Sequence, residues 1–519
     1  MNAAQVLIVG AGPTGLLLAC ELRRLGIEVL VADPKSGPTR ESRAMFVQAR
    51  SLEIYDQLGI GDEAVREGRP AEGLSLWAGR KRLGGLELGR GGAGRTGYPF
   101  ILAFEQSANE ALLYRHLQSL GGEVAWGWAL DSFTQNARGV TAQLSGPNGE
   151  RREVEVPYLC GADGAHSRVR HAVGTAFEGE NSPRTLFVAD VTATGRVDRA
   201  SVSVKLSAAS LLLAFPMTGP DNFRLIGMAR GDELDGASPT FEAVRPLVRA
   251  DFGVQVSEVR WFSHYRVSHR VARHFQTGRV FLLGDAAHVH SPVGGQGMNT
   301  GLGDAHNLSW KLAAVAQGRA EPELLMSYEA ERRPFAVSLV RTTDRFFRLI
   351  SGESLLARRM RAEVLPALLG RLLRGFTHQG APTERPNLLG QFAFGVLSQL
   401  RLHYPDSPLS VGRAGRVKGG DRLPWVPFGG GASNFCALRD PRLQLHVYGP
   451  VSPELLAWSA RHAEIPLKPF SFTAGAANKG LREGAAYLVR PDGYVGYAGR
   501  RPTARDLDAY LRDRLRYRV

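Results

Sequence analysis

Gly10-Ala11-Gly12-Pro13-Thr14-Gly15 is a G-x-G-x-x-G run in a setting that can hold a pyrophosphate. The apolar, β-branched run from Val6 to Val9 precedes it and reads as a buried parallel strand. Helical apolar spacing continues through residues 22–25, and Gly26 suits a helix C-terminal cap. Residues 27–31 read as a second strand, which Asp33 ends. Gly10 permits a tight turn, Gly12 lets phosphate approach the backbone, and Gly15 lets helix and strand pack closely. The helix start, where Thr14 follows Pro13, offers unpaired N–H groups to the phosphates. Asp33 can accept hydrogen bonds from an adenosine ribose and would repel a 2′-phosphate. The unit therefore suits FAD or NAD rather than NADP.

Three further segments bear on which cofactor this is. Residues 158–170 read as a strand, a turn at Asp163-Gly164 and a helix start. Residues 278–288 form a buried strand ending in Gly284-Asp285. Ser291, Pro292, Gly294, Gly295, Gln296, Gly297, Met298 and Asn299 follow, leading to a helix around residues 302–314. Arg43-Ala44 and residues 50–58 read as a basic loop and a helix. With these motifs the chain resembles the aromatic hydroxylase family of flavoprotein monooxygenases, the group of para-hydroxybenzoate and polyketide hydroxylases. The resemblance covers residues 1–345, including Tyr328-Glu329-Ala330-Glu331-Arg332-Arg333-Pro334.

The resemblance implies one bound FAD, with NADPH or NADH as co-substrate. Oxygen would react through a flavin C4a-hydroperoxide to hydroxylate an aromatic or polyketide-like substrate. Asp285 would then meet the ribityl chain, and the backbone at Gly297 to Asn299 would face the flavin ring. Arg43 would meet the pyrophosphate and Gln106 the flavin side of FAD. Asp163 would support the FAD and NAD(P)H sites, and Pro292 would lie beside the ring. The bland reading of both aspartates is a helix cap or a turn. Asp33 stands where the family usually has Glu, and Ser291 where it often has proline. A Baeyer–Villiger oxidation and a non-catalytic FAD-binding protein are the alternatives of different class.

The expected fold is α/β. A Rossmann-like FAD-binding domain (1–180 and 273–400, the latter with linker helices) carries an inserted, mostly β substrate domain at 181–272. A thioredoxin-like domain follows at 401–519, with Thr503 and Asp506 capping its last helix. The substrate pocket is expected between the inserted sheet and the FAD domain, with Phe215, Met217, Arg224, Trp261, Tyr265 and Arg266 as lining candidates. The arginine-rich segment 355–373 reads as a linker helix packed on the core. Cys436 is the one cysteine of the last domain, so a structural or homodimer-forming role is expected there.

Other chemistries find little support. The three cysteines, Cys20, Cys160 and Cys436, form no C-x-x-C, which argues against a zinc ribbon or dithiol site. Asp285, His288 and His290 have ligand-like spacing but lack a further ligand, so no metal is expected. There is no G-x-S-x-G elbow and no P-loop. Trp126-Gly127-Trp128 is not a halogenase motif and reads as strand. The formal charge of +14 is spread without a basic block, so nucleic acid is not an expected partner. No apolar run spans a membrane and no secretory signal is evident in these 519 residues, so the expected location is the cytoplasm.

Overall fold

The computed structural model describes residues 4–39, 44–71, 73–87, 91–207, 210–217, 219–229, 234, 239–290, 295–351, 359, 363–364, 367 and 388–518. The segment 355–373 thus lies almost wholly outside the described residues, as do Arg43 and Pro292.

Val6–Val9 is fully buried and lies inside a six-stranded sheet. Tyr158–Gly161 pairs parallel to it on one side and Val29–Asp33 on the other. Val280–Leu282 extends the sheet beyond Tyr158–Gly161, and Val124–Trp126 extends it beyond Val29–Asp33. The second strand starts two residues later than the apolar pattern suggests and takes in Asp33 itself. The helix after the glycine loop, Pro13–Arg24, begins with Pro at its first position, where the missing N–H costs nothing. Arg23 and Arg24 sit in its last turn, favourable to the helix dipole.

The second unit is an eight-stranded sheet. Its order is His288–Val289, Val254–Ala272, Phe177–Gly195, Asn222–Met228, Leu211–Pro216, Ser201–Leu206, Gly73–Ala78 and Lys81–Glu87. The last two strands come from the region expected to belong to the FAD domain. Gly73–Ala78 pairs parallel with Ser201–Leu206, a long-range partner that no local pattern announces. Side chains alternate between the two faces. One face carries Phe187, Ala189, Leu212, Ala214, Phe223 and Leu225 and packs on the helix Arg245–Phe252. The other carries Val188, Phe215, Met217 and Ile226 and meets Met45 and Phe46 of the first unit.

The C-terminal unit has strands Gln444–Tyr448, Leu467–Phe470, Ala486–Val489 and Val495–Gly499. Helix Pro453–Arg461 connects the first pair, which is parallel; Ala486–Val489 pairs antiparallel with Gln444–Tyr448 and with Val495–Gly499, and Val411–Ala414 adds parallel to Val495–Gly499. The order, with Ala504–Asp513 as last helix, is thioredoxin-like. Thr503 and Asp506 form the expected capping box. Cys436 is exposed, outside the strands, in the 3₁₀ turn Asn434–Arg439.

This unit docks through buried charges. Arg490 pairs with Glu331 at 2.5 and 2.9 Å, and Lys311 Nζ donates to the same carboxylate at 2.8 Å. Asn307 and Ser407 donate to Glu331 as well. Arg50 donates to the Asp492 carbonyl, and Arg422 pairs with Glu53. Burial alone would raise the Glu331 carboxyl; Arg490 and Lys311 outweigh it and hold it far below the usual range. Burial, only partly opposed by Glu331, draws the Lys311 ammonium down to about 8. Removing one member of such a lattice leaves the others buried and unpaired, at about 3–5 kcal/mol. Glu331→Gln should therefore lower the unfolding free energy by that order, read as a lower midpoint in chemical denaturation. An unchanged midpoint would show that the lattice carries no stability.

Candidate flavin site

The glycine loop obeys the constraint expected of it. Gly10 has φ +104°, and a Cβ there would lie 2.4 Å from the Ala162 carbonyl oxygen. At Gly15 a Cβ would lie 1.9 Å from the Gly10 oxygen, so the crossing of loop and helix excludes any side chain. A Cβ at Gly12 would meet nothing within 4 Å, so this glycine faces open space. No side chain caps the helix that starts at Pro13, leaving its first N–H groups available.

Asp33 is buried, and its carboxylate braces the loop. Oδ2 accepts the Ala11 N–H at 2.6 Å and Oδ1 accepts the Lys35 N–H at 2.8 Å. Asp163 caps the helix Arg168–Ala172 in part, with Oδ2 accepting the Val169 N–H at 3.2 Å. Its Oδ1 is buried without a partner. The cap reading and the site reading thus use different oxygens of one carboxylate. Gln106 opens the helix Gln106–Ser119; its Oε1 accepts the Ala44 N–H at 3.2 Å, next to the undescribed loop 40–43.

Thr14 joins this loop to the Gly-Asp turn. A Cβ on Gly284 would come within 2.8 Å of Thr14 Oγ1, and one on Gly301 within 2.2 Å. The Thr14 side chain is therefore wedged between the turn and the long helix Gly297–Ala316. Asp304, one turn along, accepts the Gly284 N–H at 3.0 Å and pairs with His288 at 2.7 Å and Arg332 at 2.6 Å. Asp285, next to the fixed Gly284, is exposed in the 3₁₀ turn Gly284–Ala286. His288 is thus committed to Asp304. Among the described residues, no group of three His, Cys, Asp or Glu could hold a metal.

The long helix starts at Gly297, earlier than its apolar pattern suggests, and no side chain caps it. Gly295 has φ +60° and packs against Phe46. The Asn299 amide makes four hydrogen bonds. Nδ2 donates to the Phe46 and Gly295 oxygens, both at 2.9 Å, and Oδ1 accepts from Gln48 N and Ser51 Oγ, both at 2.8 Å. That saturates a primary amide. Only the backbone of Asn299 remains for a ligand. Met298 Sδ accepts from Asn109 Nδ2 at 3.2 Å, so its side chain also points into protein.

On the facing sheet, register brings four residues into one row: Trp261 opposite Asp190, Asp190 opposite Arg224, and Arg224 opposite Phe215. Phe215 contacts Phe46 edge-on at 5.2 Å, and Met217 and Tyr265 join the same apolar cluster. Arg266 is corrected here. It follows Tyr265 directly in the strand, so it projects from the opposite face, and it is exposed. Gly301, Asp304, Asp190 and Glu105 were not sequence candidates. Gly301, a glycine inside a helical run, is the one readable signal among them.

The family described as FAD binding domain matches residues 3–343. The 6-methylpretetramide 4-monooxygenase of Streptomyces rimosus is 33% identical over 98% of this chain and 93% of its own. Pentachlorophenol 4-monooxygenase of Sphingobium chlorophenolicum is 30% identical over 89% of this chain and 81% of its own. Among solved structures, anhydrotetracycline hydroxylase OxyS from Streptomyces rimosus superposes with a TM-score of 0.79 at 33% identity, covering 99% of both chains. The residues present fit FAD: an open glycine at an uncapped helix start, and an orphaned Asp163 oxygen beside the glycine loop.

Gly301→Ala should weaken FAD binding at least about tenfold, since its methyl displaces Thr14 and hence the glycine loop. Thr14→Ala in the same chain should restore part of that loss. Unchanged flavin affinity in Gly301→Ala, read by titrating the apoprotein, would sink the wedge argument. Frame, glycine loop and relatives agree that this chain belongs to the FAD-binding-domain family and is an FAD-dependent monooxygenase of the aromatic hydroxylase type, a family in which NAD(P)H is the co-substrate.

Proposed function

We propose that this enzyme hydroxylates a polycyclic, polyketide-type aromatic carrying an ionisable phenol or enol. The substrate lies between the eight-stranded sheet and the FAD domain. The names of the relatives support the substrate class. The observation that carries the proposal is Arg224. This guanidinium is 0% exposed, and Nε and Nη2 donate to the Asp190 carboxylate, both at 2.6 Å. Its Nη1 is buried without a partner. Leaving a buried donor unmet costs about 1–3 kcal/mol, more when charged. The third nitrogen is kept for an acceptor that the substrate brings, and its charge favours an oxyanion.

FAD, when bound, takes a hydride from NAD(P)H and activates O₂ for transfer to the ring. Gly10, Gly12, Pro13, Thr14 and Gly15 would hold its pyrophosphate, and Asp33 the adenosine ribose through the lone pairs its loop contacts leave. Gln106, Asp163, Gly284 and Asp285 would hold its middle, and the backbone of Gly295, Gly297, Met298 and Asn299 its ring. Trp261, whose ring centroid lies 5.7 Å from the Arg224 guanidinium, together with Phe46, Phe215 and Met217, supplies apolar walls that exclude water.

Glu105 handles the substrate proton. It is half-buried, and burial raises its carboxyl against the opposing attraction of Arg224. Asp190 and Arg260 are its other charged neighbours. A carboxylate so placed takes the phenolic or enolic proton while Arg224 stabilises the oxyanion left behind, and the electron-rich ring then reacts. A group acting as base must be deprotonated, so activity should fall as pH drops through the raised Glu105 value.

Glu105→Gln should load FAD normally and lose about 10²-fold in kcat, with the acid limb of kcat/KM displaced. Arg224→Lys should raise the substrate KM about tenfold with FAD loading retained, because a lysine loses the paired geometry toward Asp190. If both variants turn over as the parent does on an accepted polycyclic phenol, Arg224 and Glu105 have no part in the reaction. Product structure tests the reaction itself, since a ring-expanded lactone would replace hydroxylation by a Baeyer–Villiger oxidation.

A further inference from the structure

A second, cationic pocket opens at the seam between the C-terminal unit and the FAD domain. Its cavity is about 200 Å³ and is open to solvent. Arg401, His403, Arg416, Asp421, Arg422 and Lys479 line it. Arg95 stands next to it: a Cβ on Gly395 would lie 3.0 Å from Arg401 Nε and 3.2 Å from Arg95 Nη1, so the two guanidiniums converge on one glycine.

Three of these cations, Lys479, Arg416 and Arg95, are held by carbonyl dipoles rather than by acids. Lys479 Nζ donates to the Gly94 carbonyl, Arg416 to the Asn478 carbonyl and Arg95 to the Gln391 carbonyl. Arg95, Arg416 and Lys479 make no ion pair among the described residues. Arg422 has Glu53 as partner, and its Nη2 also reaches the Arg95 carbonyl at 3.4 Å. Among the described residues Asp421 is the one carboxylate in the lining, and its Oδ2 accepts the Lys418 N–H at 2.8 Å. Positive charge is therefore in excess. The strain shows in the groups themselves. Burial and then repulsion from Arg95 and Arg422 lower the Lys479 ammonium, and burial with Arg401 and Arg422 lowers Arg95.

The seam borders the flavin site. Gln399, just before Leu400 and Arg401, donates to Thr300 Oγ1 at 3.1 Å, in the first turn of the long helix. Ser398 accepts the Arg50 N–H at 3.2 Å. Asp33 disfavours a 2′-phosphate at the glycine loop, and the chain's other G-x-G-x-x-G match, Gly92 to Gly97, runs through turns and opens no helix.

We propose that this pocket binds a phosphate dianion. Converging guanidiniums and an ammonium in a concave, partly desolvated setting suit three strongly accepting oxygens. Two sources share that chemistry: the 2′-phosphate of NADPH, which rests on the reductant assigned above, and free inorganic phosphate or pyrophosphate.

The test is calorimetric titration of the FAD-loaded enzyme at low salt with adenosine 2′,5′-bisphosphate, AMP, inorganic phosphate and pyrophosphate. The control is R416Q/K479Q, whose replaced side chains rest only on loop carbonyls; retained FAD content and unfolding midpoint establish its fold. At least one probe should bind, with affinity falling about tenfold or more in the variant and falling with added salt in the parent. Preference for the bisphosphate over AMP, with a raised KM for NADPH and an unmoved KM for NADH, supports the nucleotide source. Variant-sensitive phosphate or pyrophosphate binding with unmoved NADPH kinetics supports the free anion. If no probe binds, or the variant binds as the parent does, the proposal is overturned. The titration needs no turnover, so an inactive enzyme that still binds would sink the monooxygenase substrate reading and leave this site standing.

Discussion

Asp304 is a buried carboxylate on which three pieces of chain close. It takes the Gly284 N–H from the Gly-Asp turn, pairs with His288 just beyond it, and pairs with Arg332 on the returning helix. Burial would favour its neutral form, but Arg332 and His288 outweigh burial and keep it charged. The same long helix bears Gly301, one turn earlier, on which the Thr14 side chain rests. One helix thus sets the distance between the glycine loop and the Gly-Asp turn. Its own first turn lies at the expected flavin ring. Glycine loop and Gly-Asp turn are fixed by a single rigid element, which is how residues so far apart in sequence can be placed precisely.

The C-terminal unit extends that rigidity. Arg332 also donates to Tyr404 at 2.9 Å, and its neighbour Glu331 meets Arg490 and Lys311. A thioredoxin-like sheet with an isolated, exposed Cys436 has no dithiol chemistry to perform. What it supplies is a face of buried arginines and Asp492, matched to the back of the long helix. Replacing such a lattice by apolar residues is often neutral or stabilising, so the charges are poor evidence for stability as such. They do demand exact partners. A docking interface built of them admits one register, and that register holds the helix on which the flavin loop depends.

Local chemistry was readable from sequence where one residue type has one conformational reason to be present. Gly10, Gly12 and Gly15 are such residues, and so are Thr503 and Asp506 of the capping box. Asp33 was legible as the acid ending its strand, but its grip on the Ala11 N–H was not, because it depends on the loop folding back. Pairings across long separations were invisible. Nothing local in Gly73–Ala78 says that it adds to Ser201–Leu206, and three strands of that sheet, Gly73–Ala78, Lys81–Glu87 and His288–Val289, lie outside the expected 181–272. Arg266 and Tyr265 were both chosen for their chemistry, whereas strand alternation permits only one to face the cleft. The Asn299 amide is spent on Phe46, Gly295, Gln48 and Ser51, a fact that needs the tertiary structure.

The sheet's two faces divide the work. Phe187, Ala189, Leu212, Phe223 and Leu225 form the core with the helix Arg245–Phe252, where a change of volume is paid for in stability. Trp261, Arg224, Phe215 and Met217 stand on the other face, against Phe46, and do not belong to that core. Alternation makes the two sets independent in position while they share the same strands. Asp304 and the glycine loop, meanwhile, lie in a different unit. Substitutions on the Phe46 face therefore leave the core on the opposite face and the Asp304 frame in place. That separation explains physically how one frame can serve several aromatic substrates. Within the Arg224 row one buried guanidinium nitrogen has no acceptor among the described residues.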